Sequence, residues 1–265
     1  MISRQKTDPI LFVGAGPGDP ELITVKGQKA IQSANVIVYA GSLVPPELLD
    51  RSNDQVKTYN SASMHLNEIM DIMISAHHEG KKVVRLHTGD PSLYGAIYEQ
   101  ISILKAHNID YQIIPGVTAA FAAAASLKIE YTIPEVTQTL ILTRMSGRTS
   151  VPELENLESL ARHQSSMAIY LSMSLIDSVA SILSRTYGEK AMCAVVYKAS
   201  YPDEKIVHMR VEALSQTIKA LKINKHALII VGKPLGLQST GNYRSKLYDQ
   251  HFSHEYRNHV SESKT

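Results

Sequence analysis

Three clusters in this 265-residue chain pair glycine with side chains able to touch a ligand. They are Val13-Gly14-Ala15-Gly16-Pro17-Gly18-Asp19-Pro20-Glu21, Thr88-Gly89-Asp90-Pro91-Ser92-Leu93-Tyr94-Gly95 and Pro115-Gly116-Val117-Thr118-Ala119-Ala120. Glycine lets a backbone approach another body closely, because no Cβ stands in the way. A dinucleotide is the first occupant to consider for the opening cluster, and three features argue against it. The spacing is Gly14-x-Gly16-x-Gly18 rather than Gly-x-Gly-x-x-Gly. Asp19 and Glu21 stand at the helix start that would receive a pyrophosphate, and they would repel it. The second predicted strand ends in Tyr39-Ala40-Gly41-Ser42, with no acid to hold a ribose. No P-loop pattern occurs either. Taken alone, the glycines fit a tight strand-to-helix turn equally well.

Other chemistry is harder to assemble. No Ser/His/Asp set, Cys/His pair or His-x-x-x-His pattern stands out. His65, His77, His78 and His87 are scattered and read as surface or capping residues. His251 and His254 are spaced i, i+3, but in a polar tail they read as solvated rather than as a metal pair. No metal ligand and no catalytic residue is assigned. A group transfer from an activated donor fits this inventory, because positioning supplies most of its acceleration.

Composition narrows the setting. A content of 44% hydrophobic and 20% charged residues describes a soluble globular chain long enough for one large core or two ordinary ones. With a net charge of +2 and no dense basic block, nucleic acid is not the expected partner. The single cysteine, Cys193, lies in an apolar run and reads as a packing residue in a reducing compartment. No apolar stretch approaches the ~20 residues needed to span a bilayer, and the polar start lacks a signal core. The expected location is the cytoplasm.

The elements that must position the clusters follow from apolar periodicity. Strands are expected at 10–13, 36–40, 82–86 and 111–114. Helices are expected at 20–33, 63–78, from Tyr94 through Leu104, and from the third cluster to about Leu127. Asp19 is the expected N-cap of the first helix, with Pro20 at its first position. Such alternation implies a parallel sheet with its glycine turns on one carboxyl edge, where α/β proteins bind ligands. After Ile133-Pro134 the pattern restarts, with strands at 139–143, 167–171, 192–198, 205–210 and 227–231 and helices at 174–185 and 211–221. The short turn at Pro202-Asp203 makes the 205–210 strand antiparallel to its predecessor. The division is an extension over 1–9, α/β domains over 10–135 and 136–236, and a polar tail over 237–265. Asp90 is expected to cap the helix that follows it.

With these residues in place, the order and spacing of the three clusters resemble the S-adenosylmethionine-dependent tetrapyrrole (uroporphyrinogen/precorrin) methyltransferases. The resemblance runs from about Ile10 to Pro234. Val38-Tyr39-Ala40-Gly41-Ser42-Leu43-Val44-Pro45 and Leu86-His87-Thr88-Gly89-Asp90-Pro91-Ser92-Leu93-Tyr94-Gly95 resemble the branch acting on C11 of precorrin-4 or its cobalt complex. The resemblance implies two α/β domains with a cofactor cleft between them, a homodimer, and S-adenosylmethionine as methyl donor, leaving as S-adenosylhomocysteine. Family donor contacts fall on Pro17, Thr88, Gly89, Asp90, Leu93, Thr118 and Ala119, and in the second half on Leu171, Ala199, Ala227 and Leu228. Where relatives commonly have Met, this chain has Leu171. Where uroporphyrinogen methyltransferases have Asp after the strand tyrosine, it has Ala40, so no catalytic aspartate is carried over.

The implied tetrapyrrole substrate is rich in carboxylates, which basic side chains would hold. Arg85, Arg144 and Arg148 are the leading candidates, with Arg51, Lys57 and Lys198 behind them, and the backbones of Gly14 and Gly16 are expected to face the macrocycle. Rival expectations are methylation of another tetrapyrrole position, of RNA or of a protein side chain on the same fold, and a nucleotide-binding module without catalysis.

Overall fold

The apolar runs and the turns between them build two five-stranded sheets with helices alongside. A computed structural model of the chain describes residues 8–41, 43–237, 243, 245–248, 252–253 and 255–257. Ser42, the His251/His254 pair and most of the polar tail lie outside the described residues. The chain divides into two compact units: Met1–Ser126 with Lys198–Glu204, and Leu127–Tyr197 with Lys205–Thr265.

The first part of the chain runs β1 (Ile10–Gly14), α1 (Val25–Ser33), β2 (Val36–Tyr39), α2 (Pro46–Leu49) and β3 (Lys57–Asn60). It continues with α3 (Leu66–His78), β4 (Val83–His87), α4 (Ile97–Ala106), β5 (Tyr111–Ile114) and α5 (Ala119–Leu127). All pairings in this sheet are parallel, in the order β3-β2-β4-β1-β5. Strand alternation sends Ile10 and Phe12 to a core shared with α3 and α4, and Val13 to the opposite core shared with α1. Both faces are thus covered, as an all-parallel sheet requires. Because β4, β1 and β5 are adjacent, the three glycine clusters leave the sheet side by side on its carboxyl edge.

Several local expectations need correction. The first helix is broken: a 3-10 turn at Pro20–Leu22 precedes α1, and Ile23 between them is extended at φ −70°, ψ 145°. Thr24 explains the break, since its side chain caps α1 by accepting from the Gly27 amide at 3.1 Å. Asp19 does cap the 3-10 turn, accepting from Glu21 N at 2.8 Å. Tyr94 is not helical, because Tyr94 and Ala96 adopt left-handed φ values of 57° and 48° and α4 begins only at Ile97. Asp90 therefore caps no helix. His65 caps α3 in a reciprocal box with Glu68, whereas His77 and His87 are buried rather than surface or capping residues.

The second unit contains β6 (Leu140–Arg144), α6 (Leu157–Ala161), β7 (Ser166–Tyr170), α7 (Ile176–Tyr187), β8 (Met192–Tyr197), β9 (Lys205–Arg210), α8 (Leu214–Ala220) and β10 (Ala227–Val231). Its sheet order is β6-β7-β10-β8-β9. β6 and β7 are parallel, while β10 runs antiparallel to both β7 and β8, and β9 is antiparallel to β8. Cys193 is fully buried in its core, and burial pushes the thiol up to about 12, which keeps it protonated and inert. No helix among the described residues is long and apolar enough to cross a membrane.

Candidate functional site

On the first unit the three glycine clusters are fused into one backbone assembly. Gly16 and Gly89 exchange hydrogen bonds, Gly89 N donating to Gly16 O at 2.7 Å and Gly16 N to Gly89 O at 3.3 Å. A Cβ on Gly14 would lie 2.6 Å from Gly116 Cα and 2.6 Å from Gly89 O, and one on Gly116 would overlap Gly89 O. The missing side chains at Gly14 and Gly116 thus serve a close approach of loop to loop, whereas Gly89 supplies a left-handed φ of 64°. This corrects the expectation that the bare faces of Gly14 and Gly16 meet a macrocycle: both residues are buried, and Gly16 packs against the Leu22 carbonyl.

Asp90 locks the assembly. Its Oδ1 accepts from Ser92 N at 2.8 Å, and its Oδ2 accepts from Gly116 N at 2.9 Å. The second cluster is thereby tied to the third. Thr88, Leu93 and Ala119 are half-buried on the same edge, Thr118 is buried at the start of α5, and Pro17 is buried in the β1 turn. Buried Ala199 lies in the segment 198–204 of this unit, next to Ser200, whose Oγ accepts from the Asp19 amide.

Five amides of these turns are engaged within the protein. Ala15 N donates to His87 O at 2.7 Å, Asp19 N to Ser200 Oγ at 2.9 Å, and Gly116 N to Asp90. With the Gly16 and Gly89 amides paired to each other, none of these five donors is offered to a phosphate, and the Asp19 and Glu21 carboxylates flank the first turn. A cationic ligand suits such an edge better than an anionic one.

Beneath the edge, Arg85 and His87 share one face of β4. Arg85 is 5% exposed and donates to Gln100 Oε1 at 3.2 Å, to the Val38 carbonyl at 3.2 Å and to Ser61 Oγ at 3.0 Å. Burial among these neutral acceptors lowers its pKa to about 10. The guanidinium is spent on holding β2 and the residue after β3, so Arg85 leaves the set of substrate-binding candidates. His87 stacks on Phe12 at 6.0 Å, and its Nε2 is buried without a partner. Burial, reinforced by the Arg85 charge, lowers its pKa to about 3.

On the second unit the expected residues gather at one sheet edge. Leu171 follows β7 with a left-handed φ of 52° and is 69% exposed. Ala227 opens β10, the neighbour of β7 in the sheet, and Leu228 after it is buried. Arg144, at the end of β6, donates to the Thr149 carbonyl at 3.0 Å and to the Ser150 carbonyl at 2.7 Å, bracing the loop that carries exposed Arg148. Arg51 braces the β1 turn through the Pro20 carbonyl at 3.1 Å, Lys198 pairs with Asp203 at 2.6 Å, and Lys57 is exposed on β3.

Residues 200, 201 and 204 were not singled out from sequence. The Tyr-Pro-Asp run signals a turn, but nothing local reveals what its side chains reach.

The sequence profile of the tetrapyrrole (corrin/porphyrin) methylases matches residues 9–215. The chain belongs to the tetrapyrrole methylase family. It is 55% identical to the cobalt-precorrin-4 C(11)-methyltransferase of Methanocaldococcus jannaschii, over 94% of this chain and 95% of that relative. It is 44% identical to the precorrin-4 C(11)-methyltransferase of Pseudomonas aeruginosa, over 94% and 98% of the two chains. Among solved structures, a cobalt precorrin-4 methyltransferase of cobalamin biosynthesis superposes with a TM-score of 0.83 at 47% identity, covering 85% of this chain and 95% of that one. A uroporphyrin-III C-methyltransferase of Thermus thermophilus, solved with S-adenosylhomocysteine, shares the fold at a TM-score of 0.73 and 24% identity, over 86% and 99% of the two chains.

Proposed function

We propose that this tetrapyrrole methylase transfers a methyl group from S-adenosylmethionine to C11 of precorrin-4 or of cobalt-precorrin-4. The observation that carries the donor class is the carboxyl edge itself, where the Ala15, Gly16, Asp19, Gly89 and Gly116 amides are engaged within the protein and Asp19 and Glu21 stand beside the first turn. That edge disfavours a pyrophosphate and tolerates a sulfonium. The substrate class rests on likeness to the C11-methyltransferases over nearly the whole chain, two of them named for the cobalt form.

When bound, S-adenosylmethionine supplies an electrophilic methyl for in-line attack by the electron-rich ring carbon. The residues proposed to hold it are Pro17, Thr88, Gly89, Leu93, Thr118, Ala119 and Ala199 on the first unit, and Leu171, Ala227 and Leu228 on the second. Asp90 acts through the turns it ties together. Its two oxygens accept from the Ser92 and Gly116 amides, so it orients those two stretches of backbone. Charge is dispersed as the sulfonium is neutralised, so the protein need supply positioning rather than an acid. Arg144 and Arg148 are the remaining leading candidates for substrate carboxylates, of which Arg148 is the more exposed. The proposed enzyme is a cytoplasmic homodimer.

Calorimetry tests the donor class. S-adenosylhomocysteine is expected to bind and NAD is not. Binding of NAD alone would overturn the reading in favour of a nucleotide-binding module. Labelled methyl recovered in RNA or protein rather than in a tetrapyrrole would overturn the substrate class.

A further inference from the structure

The segment 198–204 is a strap over the β1 turn. Ser200 Oγ accepts from the Asp19 amide at 2.9 Å, and Tyr201 donates its hydroxyl proton to the Leu43 carbonyl at 2.7 Å. Between these bonds the Tyr201 ring lies against Gly18. A Cβ there would sit 2.9 Å from the ring Cγ and closer still to Cδ2 and Cε2. Gly18 is not among the positive-φ glycines, so the ring, rather than the backbone conformation, calls for glycine at this position.

The strap itself is stiffly held. Glu204 Oε2 accepts from Ser200 N at 2.6 Å and from Ser126 Oγ at 2.9 Å. Tyr201 N donates to Lys198 O at 3.0 Å, and Glu204 N to Tyr201 O at 3.0 Å. The Lys198–Asp203 ion pair closes the loop, with the ammonium 5.8 Å from the Tyr201 ring centroid. Lys198 and Ser200 are held in left-handed conformations at φ 48° and 67°. Non-glycine residues occupy that region at a cost and persist only where their surroundings over-determine them. Burial raises the Tyr201 phenol pKa above its ordinary value, and the hydroxyl donates its proton to Leu43.

We infer that Tyr201 and Ser200 are positioning residues for methyl-donor binding: they clamp the Gly16–Asp19 turn and the loop after β2 in one arrangement before the donor arrives. The inference rests on the reading that Pro17, inside the clamped turn, lies against the donor. A preorganised site binds more tightly because less ordering remains to be done on binding.

Calorimetric titration of S-adenosylhomocysteine tests it, with melting curves to confirm folding. Tyr201→Ala is expected to weaken binding by about tenfold or more, and Tyr201→Phe and Ser200→Ala by about threefold each. Gly18→Ala is expected to match Tyr201→Ala, because its methyl would displace the ring. The decisive variant is Gly18→Ala/Tyr201→Ala, expected to bind no worse than Tyr201→Ala alone, since the added methyl then meets no ring. Independent destabilisation would multiply the two losses.

Folded Tyr201→Ala binding within about twofold of the unmodified chain, or multiplied losses in the double variant, would overturn the inference. Should Tyr201→Ala fail to fold, Tyr201→Phe and Ser200→Ala decide, and unchanged affinity in both would overturn it. Failure of the unmodified chain to bind S-adenosylhomocysteine is a different result, which would remove the donor assignment itself.

Discussion

Asp90 joins two turns from separate strands, and only a carboxylate reaching in both directions can do so. Its oxygens meet the amides of Ser92 and Gly116 at 2.8 and 2.9 Å. Losing both charge-assisted bonds in Asp90→Ala is expected to cost about 2 kcal/mol of stability. The accompanying loosening of the turns is expected to lower S-adenosylhomocysteine affinity by about tenfold. Thermal melts and calorimetry check both, and unchanged values in each would show that the bridge carries nothing. The identity of this residue was legible in the sequence, but its use was not. A Gly-Asp-Pro turn suggests a local cap, whereas the Gly116 amide is 26 residues away and is brought near only by strand order. The glycines carry the same lesson. Gly14 and Gly116 invite a ligand when read alone, and the bodies that approach them are each other and Gly89.

At the scale of the element, β4 combines a legible strand with an illegible polar face. Its apolar run predicts the strand, and nothing in that run predicts that Arg85 would be buried among neutral acceptors with His87 beside it. This face has a pH signature. His87 has a folded pKa of about 3, against an unfolded value near 6.5. Above about pH 6.5 both states hold it neutral and it contributes no pH dependence. As pH falls towards about 3 the unfolded chain takes up a proton that the folded chain refuses, so stability drops. His77 acts in the same direction, through burial and the adjacent His78. Replacing His87 by Asn is expected to remove up to about 1.4 kcal/mol per pH unit from the slope of unfolding free energy between about pH 6 and 4. Denaturant titrations across that range check this, and an unchanged slope would contradict the assigned shift. Helix boundaries show the converse limit. Periodicity found α1, but it could not show that Thr24 rather than Asp19 opens it, because the choice turns on the extended backbone at Ile23.

At the scale of the whole molecule, strand–helix alternation was enough to predict the parallel sheet of the first unit and the carboxyl edge where its glycine turns converge. In the second unit it gave the strands but not their order. The last strand, β10, inserts between β7 and β8 and runs antiparallel to both, a choice set by tertiary pairing rather than by local pattern. The strap shows the same limit most sharply. Residues 198–204 belong by their contacts to a unit whose other residues end at Ser126, and no window of sequence holds both Gly18 and Tyr201. The central claim is methyl transfer to C11. Its most direct measurement is the carbon NMR and mass spectrum of the tetrapyrrole formed from 13C-methyl-labelled S-adenosylmethionine with precorrin-4, run in parallel with cobalt-precorrin-4. A single labelled methyl at C11 in at least one of the two is the predicted result; label at another ring position, or none in either tetrapyrrole while S-adenosylhomocysteine still binds, would contradict it.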